Sequence, residues 1–418
     1  MAITDKKKGV WGLDQVYNKK MQGSIWQFTH ASPLLFTWGR NNEGNSNGDL
    51  GLNDGTHRSS PTQLSGTTWN IFNSNTYGGN TVIGRTDGTL WVWGQNYSGQ
   101  LGQGQATGAW TGESSPVQIP GTNWSVASGG GTMVSTKTDG TLWIWGSAYY
   151  GNLGNNKDVA GPGSNFPGVS SPIQVGSGTD WATGRRKNTL TDQRTVMALK
   201  TDGTMYTWGH GGFGEIGENN QVNRSSPIQI PGTTWEKVVQ GGNETWAMGA
   251  IKTDGTLWMW GRGHAPAPGS SGGHAGYLAQ NNQTNYSSPV QVGSETTWAN
   301  ATFGYYTAMA TKTDGTLWVW GRNGSGELGQ NTVGDPRSSP VQIPGTNWGT
   351  ESYHFTAQKT WMAALKTDGT LWGWGSNYYG TLNNNNTTQR SSPTQIPGVY
   401  DQIGGIGHGI LARQTAQD

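Results

Sequence analysis

Short apolar runs recur along the chain, each preceded by a polar turn and ended by glycine. In the clearest copy the pair Asp314–Gly315 precedes the run Leu317–Trp320, and Gly321 ends it. Apolar residues at consecutive positions indicate a strand that is covered on both faces. Asp-Gly indicates a tight hairpin turn, because glycine adopts a positive φ without steric cost. The pattern therefore predicts a hairpin whose first arm is Tyr306–Thr311 and whose second arm is Leu317–Trp320.

The same unit recurs at intervals of roughly 50 to 60 residues, the length at which one supersecondary unit has to stack on the next to bury its faces. The apolar run ends in Trp-Gly at Trp38, Trp93, Trp145, Trp208, Trp260, Trp320 and Trp374. A Ser-Ser-Pro marker follows at Pro61, Pro116, Pro172, Pro227, Pro289, Pro340 and Pro393. A lone aromatic residue comes next, at Trp69, Trp124, Trp181, Trp235, Trp298, Trp348 and Tyr400. The chain is therefore expected to be an array of seven similar modules.

The first and last modules are incomplete in complementary ways. Module one, which begins at Leu35, has no Asp-Gly hairpin arm before its Trp38 strand, whereas Gly404–Gln414 resembles that arm. We predict that the C-terminal strand, with His408 and Leu411, completes the first blade, because a closed ring has no free sheet edge and an open solenoid does. The expected fold class is an all-β, seven-bladed β-propeller of four-stranded blades, formed by residues 35–418. In module six the predicted strands are 306–311, 317–320, 340–343 and 348–352.

Composition supports this fold and excludes several classes of protein. Hydrophobic residues make up only 32% of the 418 residues, but there are 69 Gly, 17 Pro and 23 Trp. Eighteen of the Trp residues belong to the repeat markers, so tryptophan is first a packing residue here. A formal net charge of +1 provides no broad field for nucleic acid. The absence of cysteine excludes disulfides and Cys-ligated zinc, and no apolar run approaches the ~20 residues of a membrane span.

The modules resemble the regulator of chromosome condensation repeat family. The resemblance is carried by seven copies of x-Trp-Gly, then Gly-x-Leu-Gly, then Ser-x-Pro-x-x-Ile, over about residues 35 to 414. It implies a seven-bladed propeller with one blade shared between the two chain ends. Members of the family include a guanine-nucleotide exchange factor and a β-lactamase inhibitor, so the fold carries over better than the function. The exchange-factor loops have no evident counterpart here, since only Gly405–His408 keeps the family's Gly-x-x-His.

Residues 1–34 lie outside the repeat and are expected to form an N-terminal anchoring or docking segment. Apolar and aromatic residues are frequent in it, which is unusual for a plain disordered leader. The alternatives are that it folds back over the propeller or that it docks onto another protein. The run from Gly9 to Tyr17 also resembles the leaders of tailed-phage structural proteins. The residues expected to anchor are Val10, Trp11, Leu13, Val16, Tyr17 and Trp26.

The loops after the Trp-Gly strands are the candidate binding surface, because irregular loops on a rigid scaffold commonly carry recognition. Exposed Tyr and Trp among Asn and Ser favour protein or glycan contact, with packing between blades as the alternative. The candidate residues are Tyr97, Trp110, Tyr149, Tyr150, Arg185, Arg186, His264, His274, Tyr277, Tyr286, Tyr378 and Tyr379.

No group of residues in the sequence predicts catalysis, a metal site or a cofactor. Gly209, Gly211 and Gly214 form a Gly-x-Gly-x-x-Gly, but the repeat places them in a blade loop rather than at the start of a helix. The stretch from Glu43 to Asp54 has the spacing of a calcium loop, with both end ligands exchanged. The hypothesis is a non-enzymatic phage virion protein without cofactors. It would bind other virion proteins and a host-surface glycan or protein receptor, with no nucleic acid or membrane insertion and with oligomers possible. The alternative is a cellular, cytoplasmic propeller that binds or inhibits a protein.

Overall fold

The computed structural model describes residues 33–41, 48–70, 75–76, 79–105, 112–157, 168–184, 189–191, 194–239, 246–264, 276–382, 386–406 and 409–415. The regular secondary structure of the described chain consists of β-strands and one short 3-10 turn, Tyr149–Gly151. The strands are β1 (Leu34–Gly39), β2 (Arg58–Leu64), β3 (Trp69–Asn70), β4 (Asn75–Thr76), β5 (Asn80–Arg85), β6 (Leu90–Gln95), β7 (Gly112–Gln118), β8 (Trp124–Gly129), β9 (Thr132–Lys137), β10 (Leu142–Ser147), β11 (Gly168–Gln174), β12 (Thr189–Thr191), β13 (Thr195–Leu199), β14 (Met205–Gly209), β15 (Arg224–Ile230), β16 (Trp235–Val239), β17 (Ala247–Lys252), β18 (Leu257–Gly261), β19 (Tyr286–Gln291), β20 (Trp298–Phe303), β21 (Thr307–Lys312), β22 (Leu317–Gly321), β23 (Arg337–Ile343), β24 (Phe355–Ala357), β25 (Trp361–Leu365), β26 (Thr370–Gly375), β27 (Arg390–Val399), β28 (Gln402–Ile406) and β29 (Gly409–Gln414).

These strands form seven sheets, which confirms the predicted seven-bladed propeller. Blade 1 contains β1, and the blades are numbered along the chain. In blade 6 the strand order is β20-β21-β22-β23, and the predicted hairpin pairs β21 with β22, Thr311 opposite Leu317. The first strands of neighbouring blades contact each other, as β20 contacts β16 and β24, so these strands surround the central axis.

The predicted grouping of strands in module six is wrong by one strand. Trp348 forms a bridge with Lys366 of blade 7, and the innermost strand of blade 6 is β20, which starts at Trp298. The chain crosses to the next blade after each outer strand, so the lone Trp opens a blade instead of closing one. The sequence repeat is therefore offset from the structural blade.

Blade 1 joins the two ends of the described chain, as expected. Strand β1 pairs antiparallel with β29, with Leu35 opposite Arg413 and Trp38 opposite Ile410. The predicted single closing strand, Gly404–Gln414, is in fact part of a two-stranded hairpin, because β28 pairs with β29 and forms the inner edge of the blade. Strand β4 extends this sheet by a parallel pairing with β28. Leu411 lies in the closing strand, and His408 lies outside the described residues.

The Asp-Gly turns are held by a short relay of hydrogen bonds. Asp314 Oδ1 accepts hydrogen bonds from the backbone N–H of Thr316 at 2.9 Å and from its hydroxyl at 2.7 Å. The same hydroxyl oxygen accepts a hydrogen bond from Trp318 Nε1 at 2.9 Å. Gly315 has a φ of 78°, in the left-handed region that favours glycine. These bonds hold the pKa of the Asp314 carboxyl below its usual value, so the turn aspartates are structural.

Every blade is tied to the preceding one by a tryptophan of its Trp-Gly strand. The indole N–H of Trp320 donates a hydrogen bond to the backbone carbonyl of Tyr277, in the loop of blade 5, at 2.8 Å. In each blade the acceptor is the residue before the Leu-Gly of the repeat or its variant. The other six pairs are Trp38 with Thr381, Trp93 with Asp49, Trp145 with Gln100, Trp208 with Asn152, Trp260 with Glu215 and Trp374 with Glu327, at 2.7–2.9 Å.

The hydrophobic core is divided into seven clusters, and each lies between two neighbouring blades. One cluster joins Leu317, Val319 and Leu328 of blade 6 to Met362 and Trp374 of blade 7. All seven Trp-Gly tryptophans are completely buried. Because burial of apolar area is the main stabilising contribution, no blade is expected to fold without its neighbours.

We predict that Trp320→Phe lowers the free energy of unfolding by about 2–4 kcal/mol, since the substitution removes the indole donor and leaves a cavity. Trp318→Phe is the matched control, because Trp318 is only half-buried and donates to a side chain of its own blade. We expect the control to lose less than half as much, as measured by chemical denaturation. Equal losses at the two positions would show that the inter-blade bond has no special importance.

Candidate functional site

The connections of the propeller divide between two faces. The loop face carries the loops between first and second strands and between third and fourth strands. The turn face carries the Asp-Gly turns and the crossings between blades. Because all blades share one strand order, the predicted binding loops lie together on the loop face.

Most of the predicted binding residues that the structure describes are at the surface of that face, and one is not. Tyr97, Tyr149, Tyr150, His264, Tyr286 and Tyr379 are half-buried, and Tyr378 is 73% exposed. Tyr277 is 1% exposed because it occupies the repeat position whose carbonyl receives Trp320, so it packs in the core between blades 5 and 6. Arg185, Arg186, Trp110 and His274 lie outside the described residues. That the described surface residues of this set bind a partner stays a prediction.

A cation–aromatic cluster lies across the loops of blades 3, 4 and 5. We define it as Tyr150, Arg194, His210, Phe213, Trp246 and Arg262. The Phe213 and Trp246 rings are stacked, with centroids 4.9 Å apart and planes at 17°. The guanidinium carbon of Arg262 is 4.5 Å from the Phe213 centroid and 4.4 Å from that of Trp246. The guanidinium carbon of Arg194 lies 5.3 Å from the centroid of the same Trp246 ring, so two cations lie close to one indole ring.

The sequence held one signal for this cluster that was not used. Trp246 is one of the five tryptophans outside the repeat markers, with Trp11, Trp26, Trp110 and Trp361. A large aromatic residue outside the packing repeat is free to serve another purpose. Arg262 directly follows a Trp-Gly marker, so its position in the repeat gives no separate signal.

A smaller aromatic group lies where blades 7 and 1 meet. The centroids of the Tyr378 and Tyr379 rings are 4.9 Å apart. The Tyr379 centroid lies 5.7 Å from that of the His57 ring and 4.9 Å from the guanidinium carbon of Arg40. It is the more exposed of the two groups, since Tyr378 projects furthest into solvent. Both groups combine aromatic rings with arginine, the residue types enriched where proteins contact one another.

Two buried carboxylates support the loops of this face. Glu215 accepts a hydrogen bond from the backbone N–H of Phe213 at 2.8 Å, and its other oxygen lies 2.9 Å from His210 Nδ1. Glu327 accepts a bond from the backbone N–H of Ser325 at 2.6 Å, but its Oε1 accepts none and lies 4.0 Å from Arg322 Nε. Burial therefore raises the pKa of Glu327 to about 7.

The grooves of the turn face are occupied by the protein's own cations. Between blades 4 and 5, Lys252 Nζ lies 4.8 Å from the Trp235 centroid and 4.1 Å from the Trp258 centroid. Equivalent pairs are found at Arg85, Lys137, Lys200, Lys312 and Lys366. A cation that repeats with the blades is explained by packing, so these grooves are poorer candidates than the irregular loop face.

The described residues of the candidate calcium loop and of the Gly-x-Gly-x-x-Gly motif have structural roles. Asp54 contacts Arg58 Nη2 at 2.6 Å and Asn41 Nδ2 at 3.1 Å, and Glu43, Asn45 and Asn47 lie outside the described residues. Gly209 ends β14, and Gly211 and Gly214 lie in the blade loop that follows it and not in a helix. Among the described residues no group of three or more His, Cys, Asp or Glu could hold a metal ion. No helix in the described part of the chain is long and apolar enough to span a bilayer.

Comparison with family models identifies the repeat. The model described as "Regulator of chromosome condensation (RCC1) repeat" matches residues 87–135, 202–247, 314–349 and 368–404. Each match starts at the Asp of an Asp-Gly turn and runs into the next blade, in step with the offset between repeat and blade. The chain therefore contains RCC1 repeats.

Proteins whose sequences are similar to this chain include cellular proteins of plants. The chain is 27% identical over 281 residues to "RCC1 domain-containing protein RUG3, mitochondrial" of Arabidopsis thaliana, covering 63% of this chain and 56% of that protein. It is 30% identical over 237 residues to "Ultraviolet-B receptor UVR8" of the same plant, covering 54% and 48%. The matches thus span about half the length of these relatives.

The RCC1 fold is also seen in yeast RCC1 (Prp20) bound to Kap60, which superposes with a TM-score of 0.69 at 16% identity, over 94% of this chain and 91% of that one. A second Prp20p structure from Saccharomyces cerevisiae is described with its binding to Gsp1p and histones. At this identity the likeness shows the fold alone.

The hypothesis of a phage virion protein, located in the virion, is wrong. It depended on a resemblance of fewer than twenty residues near the N-terminus, whereas the chain is similar in sequence to plant cellular proteins over 54–63% of its length and shares its fold with yeast RCC1. The anchoring residues Val10, Trp11, Leu13, Val16, Tyr17 and Trp26 lie outside the described residues. The related expectations of virion partners and of a host glycan receptor fall with that hypothesis.

We predict that Glu327→Gln stabilises the protein at pH 8 by on the order of 2–3 kcal/mol. Between the ordinary carboxyl pKa of 4.5 and about 7, the folded chain holds a proton that the unfolded chain has released. The free energy of unfolding therefore falls as pH rises across this interval, and the amide removes that fall. Gln100 already fills the equivalent position in blade 2, where its Oε1 accepts a bond from the backbone N–H of Ser98 at 2.6 Å.

Glu215→Gln is the matched control, since Glu215 uses both oxygens and its substitution weakens the contact with His210. Denaturation curves between pH 4.5 and 8.5 measure both variants. A Glu327→Gln protein whose free energy of unfolding keeps the wild-type pH dependence would contradict the raised pKa of Glu327.

Proposed function

We propose that this RCC1-repeat protein is a non-enzymatic, cellular protein-binding propeller that contacts its partner through the loop face. The observation that carries the proposal is the concentration of partly exposed aromatic and arginine side chains on that face of a rigid ring. Aromatic residues and arginine provide most of the binding energy at protein interfaces. The turn face, by contrast, repeats one structural arrangement from blade to blade.

The distribution of exposed apolar residues supports the same face. The large hydrophobic residues that are exposed in the described chain are Val222, Val333, Tyr378 and Val399. The first three lie in loops between third and fourth strands, and only Val399 lies on the turn face. Solvent-exposed apolar side chains grouped on one face are typical of a surface that another protein covers.

The buried carboxylates support a binding role better than a catalytic one. Glu215 and Glu327 are fully buried, and each holds a backbone N–H of its own loop. They fix the shape of the loops instead of facing solvent. The yeast relative, whose structures are described with Kap60, Gsp1p and histones, shows that a propeller of this fold serves as a protein partner.

The division of the chain at residue 34 belongs to the same proposal. Strand β1 begins at Leu34, one residue before the predicted start of the propeller. Residues 1–34 are then a separate docking segment, and the propeller is the main binding module.

The decisive experiment compares the two faces. A photo-crosslinking amino acid is placed at Tyr378 on the loop face or at Val399 on the turn face, and the protein is expressed in its native cell. We expect a discrete crosslinked protein from the Tyr378 position that is absent from the Val399 position.

That partner, purified, is then titrated calorimetrically with the wild type, with Tyr378→Ser/Tyr379→Ser and with Val399→Ser. The tyrosine variant is expected to bind about tenfold more weakly or worse, since interface tyrosines commonly contribute over 1 kcal/mol each, whereas Val399→Ser leaves binding unchanged. Equal crosslinking from both faces, or equal affinities of all three proteins, contradicts the proposal.

A further inference from the structure

The loops of the seven blades follow a charge-pairing rule that one blade breaks. The residue after each Trp-Gly and the residue before each Leu-Gly, or its variant, are matched in charge. A basic residue is matched by an acidic one in blades 1, 4 and 6, and a neutral residue by a neutral one in blades 2, 3 and 7. The pairs are Arg40 with Asp49, Gln95 with Gln100, Ser147 with Asn152, His210 with Glu215, Arg322 with Glu327, and Ser376 with Thr381. In blade 5, Arg262 is matched instead by Tyr277.

Two of the matched pairs show the side-chain contacts that this charge matching produces. His210 Nδ1 lies 2.9 Å from Glu215 Oε1, and Arg322 Nε lies 4.0 Å from Glu327 Oε1. In both, a side-chain carboxyl group of the blade lies within 4.0 Å of the basic residue that follows its Trp-Gly strand. Blade 5 has no such carboxylate, because Tyr277 gives that position an aromatic ring buried in the core.

Arg262 is consequently a buried cation with two guanidinium nitrogens that have no hydrogen-bond partner among the described residues. The residue is 6% exposed, and its Nε and Nη1 donate no hydrogen bond to any residue that the structure describes. A buried donor without an acceptor costs about 1–3 kcal/mol, and more when it carries charge. Native chains rarely keep such a group without a purpose, so an acceptor from outside the chain is the simplest explanation.

Backbone strain is concentrated around the same side chain. Trp246 has a φ of 49° and Tyr150 a φ of 57°, and they are the aromatic residues with positive φ in the described chain. Bulky side chains in this conformation are strained, and such strain is found mainly at functional sites. Both residues belong to the cation–aromatic cluster, and the indole N–H of Trp246 also has no acceptor among the residues that the structure describes.

We infer that the cation–aromatic cluster binds an Asp or Glu side chain of the protein partner, with Arg262 as the carboxylate-binding residue. This inference rests on the proposed function. The planar guanidinium matches a carboxylate in two parallel hydrogen bonds, and the Phe213 and Trp246 rings shield the pair from water. The neighbouring carboxylate of Glu215 is already engaged by His210 and Phe213 and does not compete.

A carboxylate suits this cluster better than a nucleic-acid phosphate. Nucleic-acid affinity comes from many phosphate contacts in a broad positive field, whereas this chain has a net charge of +1. A buried guanidinium among aromatic rings, like that of Arg262, is instead typical of an anchor at a protein interface.

The test uses random heptapeptides displayed on a library and selected against the full chain. We expect the selected peptides to be enriched in Asp or Glu, and the best of them is synthesised together with its Asn or Gln analogue. By calorimetry the amide analogue should bind at least tenfold more weakly, and Arg262→Gln should abolish the difference between the two peptides. Arg322→Gln, the same position in blade 6, is the control and should bind both peptides as the wild type does.

Thermal unfolding of the variants separates a binding role from a structural one. Because the Arg262 donors are unsatisfied, Arg262→Gln should unfold at or above the wild-type temperature. Selection without acidic enrichment, unchanged acid preference in Arg262→Gln, or a lowered unfolding temperature with unchanged peptide binding overturns the inference. Tighter binding of a single-stranded RNA 20-mer than of any peptide overturns it as well. If the partner found by crosslinking at Tyr378 still binds Arg262→Gln normally, the protein-binding function stands and the carboxylate site alone is wrong.

Discussion

The hydrogen bond from a buried tryptophan to the carbonyl of the preceding blade is the interaction on which the ring depends. The indole is large enough to fill the space between two sheets, and its one N–H would be costly to bury without an acceptor. The Leu-Gly loop presents that acceptor, as in the contact of Trp374 with Glu327. Since the bond runs from each blade to its neighbour, through Trp38 and Thr381 at the closure, the seven blades form one continuous circuit. The repeat is thus maintained by a contact between modules and not within them.

This circuit leaves the rest of each loop free to vary. The acceptor is a backbone carbonyl, so the side chain at that position is not restricted by the bond, and it ranges from Asp49 to Tyr277. Variation there changes charge, burial and loop shape without weakening the ring. A charged loop residue is tolerated where the chain supplies its counter-charge, as around Glu215. The surface of the loop face is therefore set by residues that the scaffold itself does not need.

The sequence predicted the blades well because their signals are local and repeated. Asp-Gly turns, Trp-Gly strands and Pro markers occur at fixed spacing, and the incomplete first module indicated the closure. The grouping of strands was predicted less well, since nothing local shows that the chain changes blade before Trp348. The cation–aromatic cluster could not be predicted, because Tyr150, Phe213 and Trp246 come from three blades and meet only in the folded ring. Tyr277 was placed at the surface although its position in the repeat indicated burial. The virion hypothesis failed because a short leader was given more importance than the repeats.

The shared first blade also fixes where attachments to the propeller begin. Leu34 lies opposite Gln414 at the start of β1 and the end of β29, the place where an Asp-Gly turn joins the same strands in the other blades. Segments that precede Leu34 or follow Gln414 therefore start side by side on the turn face. A fusion tag or surface tether at either position leaves the opposite side of the disc open to a partner. A three-residue linker such as Thr-Asp-Gly between the two positions would make the ring covalently continuous, and new ends could then be opened in any of the other six turns.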